Sequence, residues 1–213
     1  MNVMIKAVAV AAAMFASSAN ATFLFSDAGF GANKKVITFS EVALAAGTRV
    51  TNQFDGVRFA TSGTTGGLYM DSGAYANANP VSGRYVDSFS GGSAASIYDI
   101  IFNSDVSAAG AYWEFNQNTS AQFTAMNDGV ALVSFQYNNA TCCNSAEFLG
   151  FHGLAFDTIR LSNITGTHFY MDKLTFAPMS SHVAAVPEPT GVALFGLAGL
   201  GLALARRRKS KAA

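Results

Sequence analysis

The 213-residue chain holds few side chains able to make or break a bond. Its histidines, His152, His168 and His182, have no nucleophile elbow, no His-Glu-x-x-His pair and no Gly-rich phosphate loop beside them. His152 sits between Gly150 and Gly153 in "GFHGL" and reads as a hydrogen-bonded structural residue rather than a base. Glycosidic cleavage needs two carboxylates at a set separation. The twelve acids between residues 22 and 178 make some such pair inevitable by chance, so none is singled out and no catalytic residue is expected. Groups suited to binding are easier to find. Tyr69, Tyr75 and Tyr85 lie in a polar, Gly-rich stretch beside Asp71, Asn77 and Asn79, where rings could stack on sugars and amides or carboxylates could bond hydroxyls. Trp113, by contrast, shares a face of "AGAYWEF" with Ala111 and Phe115 and is expected in the core.

The only cysteines, Cys142 and Cys143, are adjacent. Their Cα atoms lie about 3.8 Å apart, below the usual disulfide range of roughly 4.4–6.8 Å. The alternatives are a vicinal disulfide stiffening a turn, an intermolecular link, or two reduced thiols; the first is the expectation.

The elements that must position these groups are short strands. Apolar and polar residues alternate with period two in "KVITFSEV", "TRVTNQF", "GVRFA", "YDIIFNS", "AGAYWEF", "ALVSFQY", "EFLGFH", "DTIRLSN" and "THFYMDKLTF", separated by Gly, Asn, Ser and Asp. Such spacing predicts an all-β sandwich or barrel over residues 22–178, enough chain for one core. Residues 61–97 hold seven glycines and few aliphatics, and are expected to form a long decorated loop with at most short strands.

Charge divides the chain into three parts. Between Thr22 and Thr190 all 13 acids face only seven bases, a net of −6, while the other bases sit at the two ends. An acidic middle without a basic stripe disfavours nucleic-acid binding. The first 21 residues carry Lys6, an apolar stretch and Ala19-Asn20-Ala21, the pattern of a cleavable signal peptide. At the other end a linker, 179–189, contains Val186-Pro187-Glu188-Pro189. Both prolines lack an N–H and bias the preceding residue toward extended backbone, which a processing enzyme can grip. Residues 190–205 are uncharged, about 24 Å if helical against a hydrocarbon core of roughly 30 Å. A short transmembrane helix is expected there. Residues 206–213 include Arg206, Arg207, Arg208 and Lys209, which should stay cytoplasmic.

This ordered triplet of proline-flanked acid, apolar run and basic cluster resembles the PEP-CTERM sorting signal of Gram-negative bacteria that export polysaccharide and make biofilm. The resemblance implies recognition by an exosortase-like membrane processing enzyme. It also implies a membrane-anchored intermediate, then delivery to the cell envelope or the extracellular matrix. A second resemblance lies in "FDTIRLSNITGTHFYMDKLTF", similar to the closing strands of carbohydrate-binding jelly-roll modules. It implies a jelly-roll-like β-sandwich and a calcium ion between Asp172 on the last strand and Glu41 on the first. Lys173 replaces the usual second acid of that motif. No other cofactor is expected. The chain is thus expected to be non-enzymatic, with a structural or adhesive role and exopolysaccharide as its partner. The alternatives are a secreted polysaccharide hydrolase and a permanently membrane-anchored surface protein.

Overall fold

The computed structural model describes residues 22–62, 66–72, 81, 83–88, 97–116, 118–139, 146–165 and 169–179. Among these the chain is all-β, with one 3-10 turn at Asp27–Gly29. Its strands are β1 (Thr22–Leu24), β2 (Lys35–Ile37), β3 (Val57–Ser62), β4 (Tyr69–Asp71), β5 (Tyr85–Asp87), β6 (Ile97–Phe115), β7 (Thr119–Asn127), β8 (Val130–Asn139), β9 (Glu147–Thr165) and β10 (Phe169–Pro178).

Two pairs of expected strands are each one continuous strand. "YDIIFNS" and "AGAYWEF" both fall in β6, and "EFLGFH" and "DTIRLSN" both fall in β9. The two 19-residue strands pair antiparallel along their length, with register shifts between Ile101 and Val106 and again before Ala108. An irregularity of this kind bends a strand and increases its twist. One half of the pair is flanked by β3 and β7; the other is flanked by β10 and β1. A single hydrogen-bonded sheet, ordered β4-β5-β10-β6-β9-β7-β8, thereby gives a sandwich-like architecture.

Aromatic contacts fill the interior. Phe23 on β1 meets Phe135 on β8 at 4.8 Å, Trp113 on β6 meets Phe123 on β7 at 5.2 Å, and Phe115 meets Tyr137 at 5.1 Å. Trp113 is buried as expected, and its indole N–H donates to the Leu149 carbonyl at 3.3 Å. A buried indole needs that partner, because an unpaired N–H away from water costs free energy.

Local sequence explains the ends of several strands. The β7–β8 hairpin closes through Asp128-Gly129, both at positive φ, the two-residue turn that matches strand twist. "KVITFSEV" extends only over its first three residues, because Phe39 takes a left-handed φ of 58° and buries its ring against Phe54 and Phe59. Within the Gly-rich stretch 61–97, β4 and β5 are three residues each, and Leu68, Met70 and Val86 reach the core from it. Backbone bonds from Gly47 and Val50 to Met70 and Leu68, and from Phe59 to Thr51, lay segment 47–51 along β4 and beside β3.

Candidate functional site

Four neighbouring strands repeat one tripeptide of tyrosine, apolar residue and acid: Tyr69-Met70-Asp71 on β4, Tyr85-Val86-Asp87 on β5, Tyr170-Met171-Asp172 on β10 and Tyr112-Trp113-Glu114 on β6. Successive strand residues point to opposite faces. The middle residues of all four triplets belong to the main core. The flanking tyrosines and acids therefore share the other face. Register aligns them in one row, Tyr69, Asp87, Tyr170 and Glu114, with Asp71 opposite Tyr85 and Asp172 opposite Tyr112 beside it.

This face is largely covered. Tyr85, Tyr170, Asp87, Glu114 and Asp172 are buried, while Tyr69, Asp71 and Tyr112 are half-buried. Tyr85 and Tyr170 meet edge-to-face at 5.2 Å, with Val81 packed on them, and Phe30 reaches Phe148 next to Tyr112. Burial raises the Tyr170 phenol above its usual range, and the charges of Asp87, Glu114 and Asp71, with Tyr85, push it the same way. Burial also raises Tyr112, which donates to the Asp27 carboxylate. The result is a layer of phenol donors and carboxylate acceptors, with Tyr69 and Asp71 at its accessible corner.

The structure draws together residues that the sequence suggested for different purposes. Tyr69 and Tyr85 stand on this face as neighbours of Asp71 and Asp87, and Asp172 stands on it too. Tyr85, however, is fully buried rather than displayed on a polar loop, because its ring packs against Tyr170. Tyr75 lies outside the described residues, as do Asn77, Asn79, Cys142, Cys143, His168 and His182. His152 is half-buried on β9, opposite Thr22 and Ala108. The tyrosine-apolar-acid repeat was the signal that would have found Asp87, Tyr112, Glu114 and Tyr170.

Glu41 belongs elsewhere. It follows β2 and lines a cavity of about 210 Å³ with Val36, Gln53 and Phe54, beside the Lys35–Asp55 ion pair. Burial alone would raise its carboxyl, but bonds from the Thr38 N–H and hydroxyl and from backbone N–H groups outweigh this and hold it below the ordinary value. The Asp172 carboxylate accepts from the Lys173 N–H at 2.6 Å. Among the described residues, no three of His, Cys, Asp and Glu come together closely enough to hold a metal ion.

Tyr137, packed on the core side of the sheet, gives the fold a pH signature. Burial, then the charge of Glu147 and the hydrogen bond to it, push this phenol up to about 12 from 10.0. A phenol raised in the folded state leaves stability intact below pH 10 and costs it as pH climbs through about 12, the window set by those two values. Thermal midpoints should therefore fall across that window, and Tyr137→Phe should flatten the fall.

Residues 185–209 match a family model described as the PEP-CTERM protein-sorting motif. The chain carries a PEP-CTERM sorting motif. The match takes in Val186, Pro187, Glu188 and Pro189 at one end and Arg206, Arg207, Arg208 and Lys209 at the other. The PEP-CTERM segment lies outside the described residues, as do Ala19, Ala21 and the apolar run 190–205. No described helix is long and apolar enough to cross a membrane. No curated protein matches the chain.

Solved structures resemble parts of it. An arabinose-bound α-L-arabinofuranosidase, MgGH51, aligns with a TM-score of 0.40 and 10% identity over 62% of this chain and 26% of its own. The chain thus spans about a quarter of that enzyme's length. CsCBM6-3 of Clostridium stercorarium, solved with cellobiose, aligns with a TM-score of 0.33 and 14% identity over 62% of this chain and 98% of its own. The K1 cleaved adhesin domain of Lys-gingipain from Porphyromonas gingivalis W83 aligns with a TM-score of 0.33 and 10% identity over 74% and 98%.

Proposed function

We propose that this chain is an exported, exosortase-processed protein of the cell envelope or extracellular matrix. Residues 1–21 serve as its leader, and residues 190–205 are a transient membrane helix with Arg206 to Lys209 on the cytoplasmic side. The PEP-CTERM motif at residues 185–209 carries this reading. The sandwich, with jelly-roll-like connectivity, is the delivered cargo, and its role is structural or adhesive rather than catalytic.

Glycan binding is the narrower form of that role, supported by the tyrosine and carboxylate corner. A half-exposed ring beside acidic acceptors suits a sugar, whose faces are apolar and whose rim is hydroxyl. The test is binding of the exported protein to exopolysaccharide from the producing cells. Tyr69→Ala should weaken it about tenfold, the equivalent of ~1.4 kcal/mol, and Asp71→Asn should weaken it as well. Retention unchanged in both variants would remove the corner from the reading. Shortening of the polysaccharide by the wild type, lost with one carboxylate, would replace adhesion with hydrolysis.

A further inference from the structure

We propose that β8 is a pairing edge for a second copy of this chain. β8 ends the sheet, and among the described residues its only strand partner is β7. A bare edge strand offers unpaired N–H and C=O groups to any strand that can lie beside it. Proteins that stay apart blunt such edges with charges, prolines, bulges, short length or a covering segment. The other margins of this sheet are managed in those ways. Segment 47–51 runs along β4 and beside β3, β3 itself carries exposed Arg58, and β1 and β2 are three residues each. β8 has ten residues, "VALVSFQYNN", without a charge, a proline or a glycine, and its one register shift against β7, at Leu132, leaves Val133 to Asn139 regularly paired. Val130 and Leu132 are 63% and 47% exposed, and Phe25, 67% exposed, reaches the Phe135 ring at 6.2 Å.

Charge argues that the occupant is a second copy. Residues 22–178 carry twelve acids against seven bases, so two copies repel across most approaches. At β8 they meet with no opposed carboxylates on either strand. The strand also suits a two-fold axis. Val133, Phe135 and Tyr137 are half-buried, whereas Leu132, Ser134 and Gln136 face outward. Antiparallel pairing centred on Ser134 sets Val133 opposite Phe135 of the second copy and Leu132 opposite its Gln136. Both faces then run on from one copy to the other over Val133 to Phe135, with the register shift at Leu132 next to this segment. Such an interface is self-complementary and closes as a dimer.

Cross-linking reads this register directly. Residues opposite one another in an antiparallel pair have Cα atoms about 4.5–5.5 Å apart, within disulfide range. In the full chain, with Cys142 and Cys143 changed to serine, Ser134→Cys should give a reducible dimer on mild oxidation. Asn52→Cys, on an exposed loop away from the edge, should not. Leu132→Glu combined with Gln136→Glu opposes two pairs of like charges and should abolish the cross-link while leaving the thermal midpoint in place. Native mass of the unmodified chain should show a dimer that the charged variant lacks. A monomer in both, equal cross-linking through Asn52→Cys, or linkage of Ser134→Cys only to another protein would overturn the proposal. None of these outcomes depends on export or glycan binding.

Discussion

Cells in which Pro187, Glu188 and Pro189 are all replaced by alanine are expected to keep the chain uncut at the membrane, with the shortened form absent from envelope and medium. The physical basis is local. Between an acidic domain and an apolar run, two prolines one residue apart leave backbone that cannot join a helix or complete a ladder. Alanine restores the missing N–H groups and would let the proposed membrane helix of residues 190–205 grow back through the site. The recognition element would then vanish without any change in the sandwich. Intact-mass measurement of each fraction checks this: wild type should lose the segment beyond the motif, and the triple-alanine chain should retain it. Equal masses and equal distribution would leave the tail as a simple anchor. Replacing Arg206 to Lys209 by serine is expected to act differently, by weakening the inside-positive orientation before any cutting occurs.

Gly150→Ala is expected to be the most damaging single methyl in the sandwich. Gly150 on β9 stands opposite Gly110 on β6, in the half of the two longest strands that β1 and β10 flank. A Cβ at position 150 would lie 2.2 Å from the Ala109 carbonyl oxygen and 2.5 Å from the Gly110 Cα. Those are backbone atoms in a paired strand, so no side-chain rotation relieves the contact. At Gly110 the added carbon would meet the Phe148 ring at 2.7 Å and the Leu149 oxygen at 2.8 Å. Separating the strands disturbs the ladder that joins both halves of the sheet. Overpacking of this kind costs roughly 3 kcal/mol or more, against a total stability of about 5–15 kcal/mol. The thermal midpoint should drop by about 10 °C, or the soluble fraction should disappear. Gly31→Ala is the control. Nothing lies within 4 Å of its Cβ, and it should change stability by less than about 0.5 kcal/mol.

Period-two alternation was legible because it follows from the pleat itself. Ala111, Trp113 and Phe115 share the buried face that their spacing predicted. The same alternation could not show that "YDIIFNS" and "AGAYWEF" are one strand. "DVSA" between them, following Asn103 and Ser104, continues a run of polar residues suited to a turn, and only pairing with β9 on one side and with β3 and β10 on the other holds it extended. Tyr85 shows a second limit. Gly83, Arg84, Asp87 and Ser88 flank it as on an exposed loop, yet Tyr170, distant in sequence, closes over it.

By itself, the order of residues determined the all-β class and the sorting motif, because a strand's alternation and a motif's composition are local properties of the chain. Tertiary structure alone decided that four tyrosine-acid triplets scattered over about a hundred residues form one face, and that β8 is left at the margin. Strand order sets both. It arises from contacts between segments far apart in sequence, whose free energies depend on which surfaces meet rather than on what any one segment prefers.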